Sequence, residues 1–156
     1  MLRAVLAVIA GYAVIFVCVF ASFSTAYLLM GTAGAFRPES YEVSLLWLAV
    51  SFPLALIAAV IGGFVCAKIP RGGRAPLVLA GLVFAFGLLS AVIEIQAAPA
   101  PAVRTAEVGV LEAMSQARQP TWVAWLNPFL GAAGILIGAK LATARVAKPR
   151  IEAASI

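Results

Sequence analysis

Residues 4–30 read AVLAVIAGYAVIFVCVFASFSTAYLLM, without one charged side chain. An α-helix rises about 1.5 Å per residue and needs about 20 apolar residues to cross a hydrocarbon core of roughly 30 Å. This stretch is therefore long enough to cross a membrane once. A cleaved signal peptide is the alternative interpretation, but its apolar core is usually only about 7–15 residues long. We therefore expect a retained helix.

Three more stretches of the same kind follow, at approximately 43–67, 76–95 and 121–141. The composition also indicates a membrane protein, because only 11% of the 156 residues are charged, whereas a soluble domain has about 25%. The sequence therefore predicts an all-α, polytopic membrane protein. We expect a four-transmembrane-helix bundle that forms a single membrane domain over residues 1–156.

The longest segment between predicted spans, residues 97–120, divides into two parts. An Ala/Pro linker at 97–102 is followed by residues 103–119, in which apolar side chains recur at helical spacing. That spacing predicts a short amphipathic helix in the second outer loop. It could cap the bundle or act as a lid over a ligand or partner, and the sequence leaves both open. Residues 142–156 form a basic tail.

Basic residues gather on one side of the predicted membrane. That side carries eight against one acid, Glu152: Arg3, Lys68, Arg71, Arg74, Lys140, Arg145, Lys148 and Arg150. The positive-inside rule then places both termini in the cytoplasm. The same residues lie where anionic lipid headgroups would be, so membrane lipids are the expected partners. They are split over three short segments, which argues against a nucleic-acid partner.

Small residues spaced by four predict close helix contacts. In lipid, helices associate where small side chains let the backbones approach. The candidates for helix packing are Ala7, Gly11, Ala59, Gly63, Ala67, Gly134 and Gly138. These faces predict a tight bundle, and they could also pack against a second copy or another membrane protein.

Polar side chains are concentrated in the outer half of the predicted spans. The candidate ligand-binding residues are Glu94, Asn127, Ser90, Ser51, Ser24 and Thr25. An ionisable group within a span is by default a hypothesis for a site, so these residues could line a pocket open to the outer face. The alternative is that Asn127 bonds a neighbouring helix while Glu94 reaches water at the interface. An apolar inner half argues against an ion path.

Few side chains could act as a catalytic acid or base, because the chain contains no histidine and no aspartate. A general base would have to be Glu94 or a loop glutamate, Glu107 or Glu112. We find no sequence motif for a metal or a cofactor. The sequence therefore favours a structural, accessory or assembly protein without catalytic activity. A small transporter subunit or a lipid- or small-molecule-binding protein with an outward-facing polar vestibule is the alternative.

Three stretches carry a resemblance of layout: LRAVLAVIAGY at 2–12, AAVIGGFVCAKI at 58–69 and GAAGILIGAKL at 131–141. Together with the Pro/Ala-rich outer loop, they make the chain similar to the small four-helix integral membrane proteins of uncharacterised function that many bacteria encode. The resemblance implies a bacterial inner membrane location. It implies neither an activity nor a cofactor.

Overall fold

The computed structural model describes residues 2–69, 73–96 and 107–147. These residues form five α-helices: α1 (Leu2–Ala35), α2 (Leu45–Lys68), α3 (Ala75–Gln96), α4 (Val110–Gln116) and α5 (Thr121–Ala147). The all-α prediction is confirmed, and four helices, α1, α2, α3 and α5, are long and apolar enough to cross a membrane. The predicted linker at 97–102, the first amphipathic positions at 103–106 and the tail from 148 onward lie outside the described residues.

Two helices extend beyond their predicted ends. Helix α1 is interrupted at Gly31, whose φ of 65° and ψ of 179° are not helical, and it resumes for one more turn to Ala35. A glycine adopts such a positive φ without the steric cost of a Cβ atom. Helix α5 continues past the predicted end at 141 to Ala147, into the basic tail.

A serine cap joins the start of α2 to the end of α1. The Ser44 hydroxyl accepts a hydrogen bond from the backbone N–H of Trp47 at 2.9 Å and donates one to the Gly34 carbonyl at 2.5 Å. The first bond satisfies an amide that has no partner inside the helix. The second bond holds the two helices together where the chain reverses direction.

The four long helices pack in the order α1, α2, α5, α3. Helix α2 lies against α1 and α5, and α3 lies against α5. Helices α1 and α3 also meet near Gly11 and Leu79. These contacts bring the beginnings of α1 and α3 together with the later parts of α2 and α5. This end of the bundle, here called the basic end, carries Arg3, Lys68, Arg74 and Lys140.

The interior near the basic end is apolar and closely packed. Its buried cluster consists of Ala7, Ala59, Cys66, Ala75, Leu79, Ala80 and Ile135. A Cβ atom added at Gly11 would lie 2.9 Å from the Cys66 Cβ, and one added at Gly134 would lie 2.6 Å from the Ala59 Cβ. Gly63 faces the backbone of Ile135 in the same way. Most of the small residues singled out above thus lie at contacts within this chain, whereas Ala67 is half-buried beside a surface groove.

The opposite end is closed by residues 36–44 and 107–120, here called the capped end. The Val43 N–H donates to the Arg118 carbonyl at 3.0 Å, and the Arg118 N–H donates to the Tyr41 carbonyl at 2.9 Å. Helix α4 lies over an aromatic cluster and buries Ala113 in it. It is shorter than the predicted amphipathic helix, and Met114, one of the apolar positions in that prediction, is half exposed.

Candidate functional site

A hydrogen-bonded junction links three parts of the chain at the capped end. The backbone N–H of Gln119 donates to Glu94 Oε1 at 3.1 Å, and the Asn127 side-chain amide donates to Gln119 Oε1 at 3.1 Å. Gln119 therefore connects the end of α3 to the first turns of α5. Sequence reasoning singled out Glu94 and Asn127 but missed Gln119, because a glutamine just before a proline in a loop gives no periodic signal.

Beneath this junction lies a cavity of about 230 Å³. Its polar lining comes from Ser51, Gln119 and Asn127, and aromatic rings of Phe23, Trp47 and Phe52 line much of the rest. Water occupies about 30 Å³ per molecule, so the space would take several waters or one small organic molecule. The described lining contains no charged side chain, which suits a neutral occupant with a hydrogen-bonding group.

A second cavity of about 150 Å³ lies directly under α4. It shares Phe23, Trp47 and Gln119 with the first cavity, so the two adjoin. The rings of Phe23 and Trp47 meet edge to face, with centroids 5.7 Å apart, on the boundary between them. Rotation of either ring would change how far the two cavities connect.

Another polar network attaches the segment before α4 to α1. The Tyr27 hydroxyl donates to the Val108 carbonyl at 2.7 Å, and the Thr32 hydroxyl donates to Glu107 Oε2 at 2.5 Å. Both side chains on α1 are buried. Sequence reasoning missed this network, because its partners lie far apart in the chain and no local pattern connects them.

Three of the predicted ligand-binding residues stand apart from the cavity lined by Ser51 and Asn127. Thr25 is exposed, and its hydroxyl donates to the Ala21 carbonyl of its own helix at 2.8 Å. The Ser24 hydroxyl is buried and has no hydrogen-bond partner within the described ranges. Ser90 is exposed on α3. The structure therefore brings together only Ser51, Asn127 and, through Gln119, Glu94.

We looked for a metal-binding group among the described residues and for similar proteins, since either could indicate what these residues bind. Within residues 2–69, 73–96 and 107–147, no group of three or more His, Cys, Asp or Glu side chains could hold a metal ion. Comparison of the chain with models of protein families, with curated proteins and with solved structures finds no match.

Proposed function

We propose that this chain is a multi-pass protein of a bacterial inner membrane, with both termini in the cytoplasm, and that it serves as a structural, accessory or assembly component without catalytic activity. The insertion is supported by four helices long and apolar enough to cross a membrane. The orientation is supported by charge. The basic end carries Arg3, Lys68, Arg74 and Lys140, whereas every described glutamate lies toward the capped end.

The hydrogen bonds to the glutamate side chains are the observation that supports the non-catalytic part of this proposal. Four of the five described glutamates accept a hydrogen bond from the protein itself, and the fifth, Glu39, is exposed. The four bonds are Glu42 from Arg37, Glu94 from Gln119, Glu107 from Thr32 and Glu112 from Tyr41. A general base must be placed to take a proton from a substrate. These four carboxylates link loops and helices of the capped end, which supports a structural role for them.

A groove between α1 and α2 gives this scaffold a surface for another helix. Its volume is about 640 Å³, and small side chains of α1 line one wall: Cys18, Ala21, Ser22, Thr25 and Ala26. Small residues on a lipid-facing helix allow close approach of a second helix. The small residues near the basic end are already in contact inside the bundle, so the groove is the better surface for a second copy or another membrane protein.

The test is to fill the groove and measure association. We expect Ser22→Leu to reduce the associated fraction by about fivefold or more, because the larger side chain blocks helix approach. Ser90→Leu, the same change on the exposed side of α3, is the matched control and should associate like the wild type. The measurement is the mass of the full chain in a mild detergent by native mass spectrometry. A wild-type protein that is monomeric and free of protein partners would contradict the accessory role.

The two adjoining cavities favour a second candidate function, a transporter subunit or binding protein for a lipid or small molecule. In this case Ser51, Gln119 and Asn127 supply the hydrogen bonds, and the orientation proposed above would turn the vestibule toward the outer face. Glu94 positions Gln119 and does not line the cavity.

Ala55→Leu tests this candidate, because Ala55 lines the cavity and a leucine would occupy part of its volume. The exposed Ala49 on the same helix provides the control, Ala49→Leu. A co-purifying small molecule should be lost from the first variant and retained by the second. If the wild type carries no such molecule, or if both variants keep it, the vestibule is not a binding site.

A further inference from the structure

A groove of about 430 Å³ lies at the basic end, between the beginning of α3 and the last turns of α5. Its apolar part is formed by Pro76, Leu77 and Leu136, and its polar part by Lys140 and Thr143. Leu136 and Thr143 are seven residues apart on α5, which corresponds to about 10 Å along the helix axis. The groove thus leads from apolar side chains at one end to the Lys140 ammonium at the other. Its length is similar to that of a lipid headgroup together with the first methylene groups of an acyl chain.

Within the described ranges, no acidic side chain lies at the end of the bundle that carries the groove. Arg74 lies between Gly73 and Pro76, which both line the groove. Among the described residues, the glutamates lie toward the capped end, and the ion pair there joins Arg37 to Glu42. A negative charge supplied from outside the described chain would therefore complement Lys140.

We propose that this groove binds a phospholipid with an anionic headgroup, its phosphate at Lys140 and an acyl chain along Leu77 and Leu136. Basic grooves between helices on the cytoplasmic side of a membrane suit anionic headgroups. The apolar wall selects a lipid over a free phosphate, because a phosphate ion would leave Leu77, Pro76 and Leu136 uncovered. This inference rests on the membrane insertion and orientation proposed above, but not on the accessory role.

The test compares lipids that differ only in headgroup charge. The full chain, purified in a mild detergent, is incubated with phosphatidylglycerol or with phosphatidylcholine of the same acyl chains, and bound lipid is counted by native mass spectrometry. We expect phosphatidylglycerol to be retained and phosphatidylcholine to be lost. Lys140→Gln should lower retention of phosphatidylglycerol about fivefold, the effect of one cation near a membrane surface.

Lys68→Gln is the matched control, because it removes the same charge from the same end but not from the groove. The Lys68 ammonium lies over the Phe64 ring, 5.3 Å from its centroid. Equal loss of lipid in both variants, or equal retention of the two lipids, would overturn the proposed site. Displacement of the lipid by inorganic phosphate alone would show an anion site without lipid specificity and would also overturn it. A chain that high salt or alkali strips from membranes would instead refute the insertion.

Discussion

At the scale of single residues, Gly138 lets α5 approach α2 more closely than any residue with a side chain would. A Cβ atom added there would overlap the Val60 carbonyl oxygen and lie 2.8 Å from the Phe64 amide nitrogen. Both atoms belong to the backbone of α2, so they cannot move aside as the end of a flexible side chain can. The contact is therefore sensitive to the smallest possible substitution.

We predict that Gly138→Ala lowers the free energy of unfolding by about 1–3 kcal/mol, the usual cost of overpacking a core. Gly81→Ala is the control, because no atom lies within 4 Å of a Cβ added at Gly81 on the exposed side of α3. That variant should unfold like the wild type or be stabilised by up to about 1 kcal/mol through helix propensity. The measurement is unfolding in detergent by titration with a denaturing surfactant. Equal stabilities of the two variants would refute the close contact.

The spacing of small residues could be predicted at this scale, but their partners could not. Gly134 and Gly138 are four positions apart, which is enough to place them on one face of a helix. Nothing local indicates that this face meets α2 rather than lipid or another chain. Gln119, which lies in a loop, shows the same limit, because its importance comes from Glu94 and Asn127 on two separate helices.

At the scale of elements, α4 depends on the rest of the molecule for its existence. It has only seven residues, far fewer than the roughly 12–15 that an isolated helix needs in water. Burial of Ala113 in the aromatic cluster and the bond from Tyr27 to the Val108 carbonyl hold it in place. The helix is therefore a cap whose order is set by α1.

We predict that Tyr27→Phe loosens this cap, because the Val108 carbonyl loses its hydrogen bond from the tyrosine hydroxyl. A bond of this kind contributes about 0.5–1.5 kcal/mol, so amide hydrogen exchange over residues 107–118 should become roughly 2- to 12-fold faster. Tyr12→Phe, the same change at an exposed position of α1, should leave this exchange unchanged. Identical exchange in the two variants would show that Tyr27 does not hold the cap.

The long helices could be predicted closely, whereas the presence of the short helix could be predicted but its ends could not. Apolar length alone determines where a spanning helix can lie, so α2 and α3 begin and end close to the predicted positions. The short helix predicted within 103–119 is confirmed at Val110–Gln116, but the described residues on either side of it are not helical. Residues 107–109 are not helical, because Glu107 and Val108 bond to Thr32 and Tyr27, and Gly109 is extended, with φ −69° and ψ 162°.

At the scale of the whole molecule, the two ends differ in charge and in polarity. The basic end joins a cationic rim to an apolar packed interior, whereas the capped end contains the described glutamates and most of the hydrogen bonds between side chains. Composition along the chain could predict this asymmetry. The pairing of residues 41–43 with Arg118 could not be predicted, because it joins two loops distant in sequence.

We predict that a membrane-impermeant maleimide labels Glu39→Cys on intact cells but labels Arg74→Cys only after the membrane is opened. Both positions are exposed, at the capped and basic ends respectively, and the positive-inside rule places the basic end in the cytoplasm. The unaltered chain is the control, because Cys18 and Cys66 lie within helices proposed to span the membrane. Labelling of Arg74→Cys alone on intact cells would reverse the orientation.

The backbone pairing between residues 41–43 and Arg118 has a consequence for biogenesis. During synthesis the first hairpin emerges long before residue 118 exists, so the Tyr41 carbonyl and the Val43 amide must at first bond to water. They acquire their final partner, Arg118, only after the third helix has been made. The capped end is therefore completed late in synthesis. A nascent chain stalled before that point would leave these backbone groups bonded to water and open to chaperones and proteases.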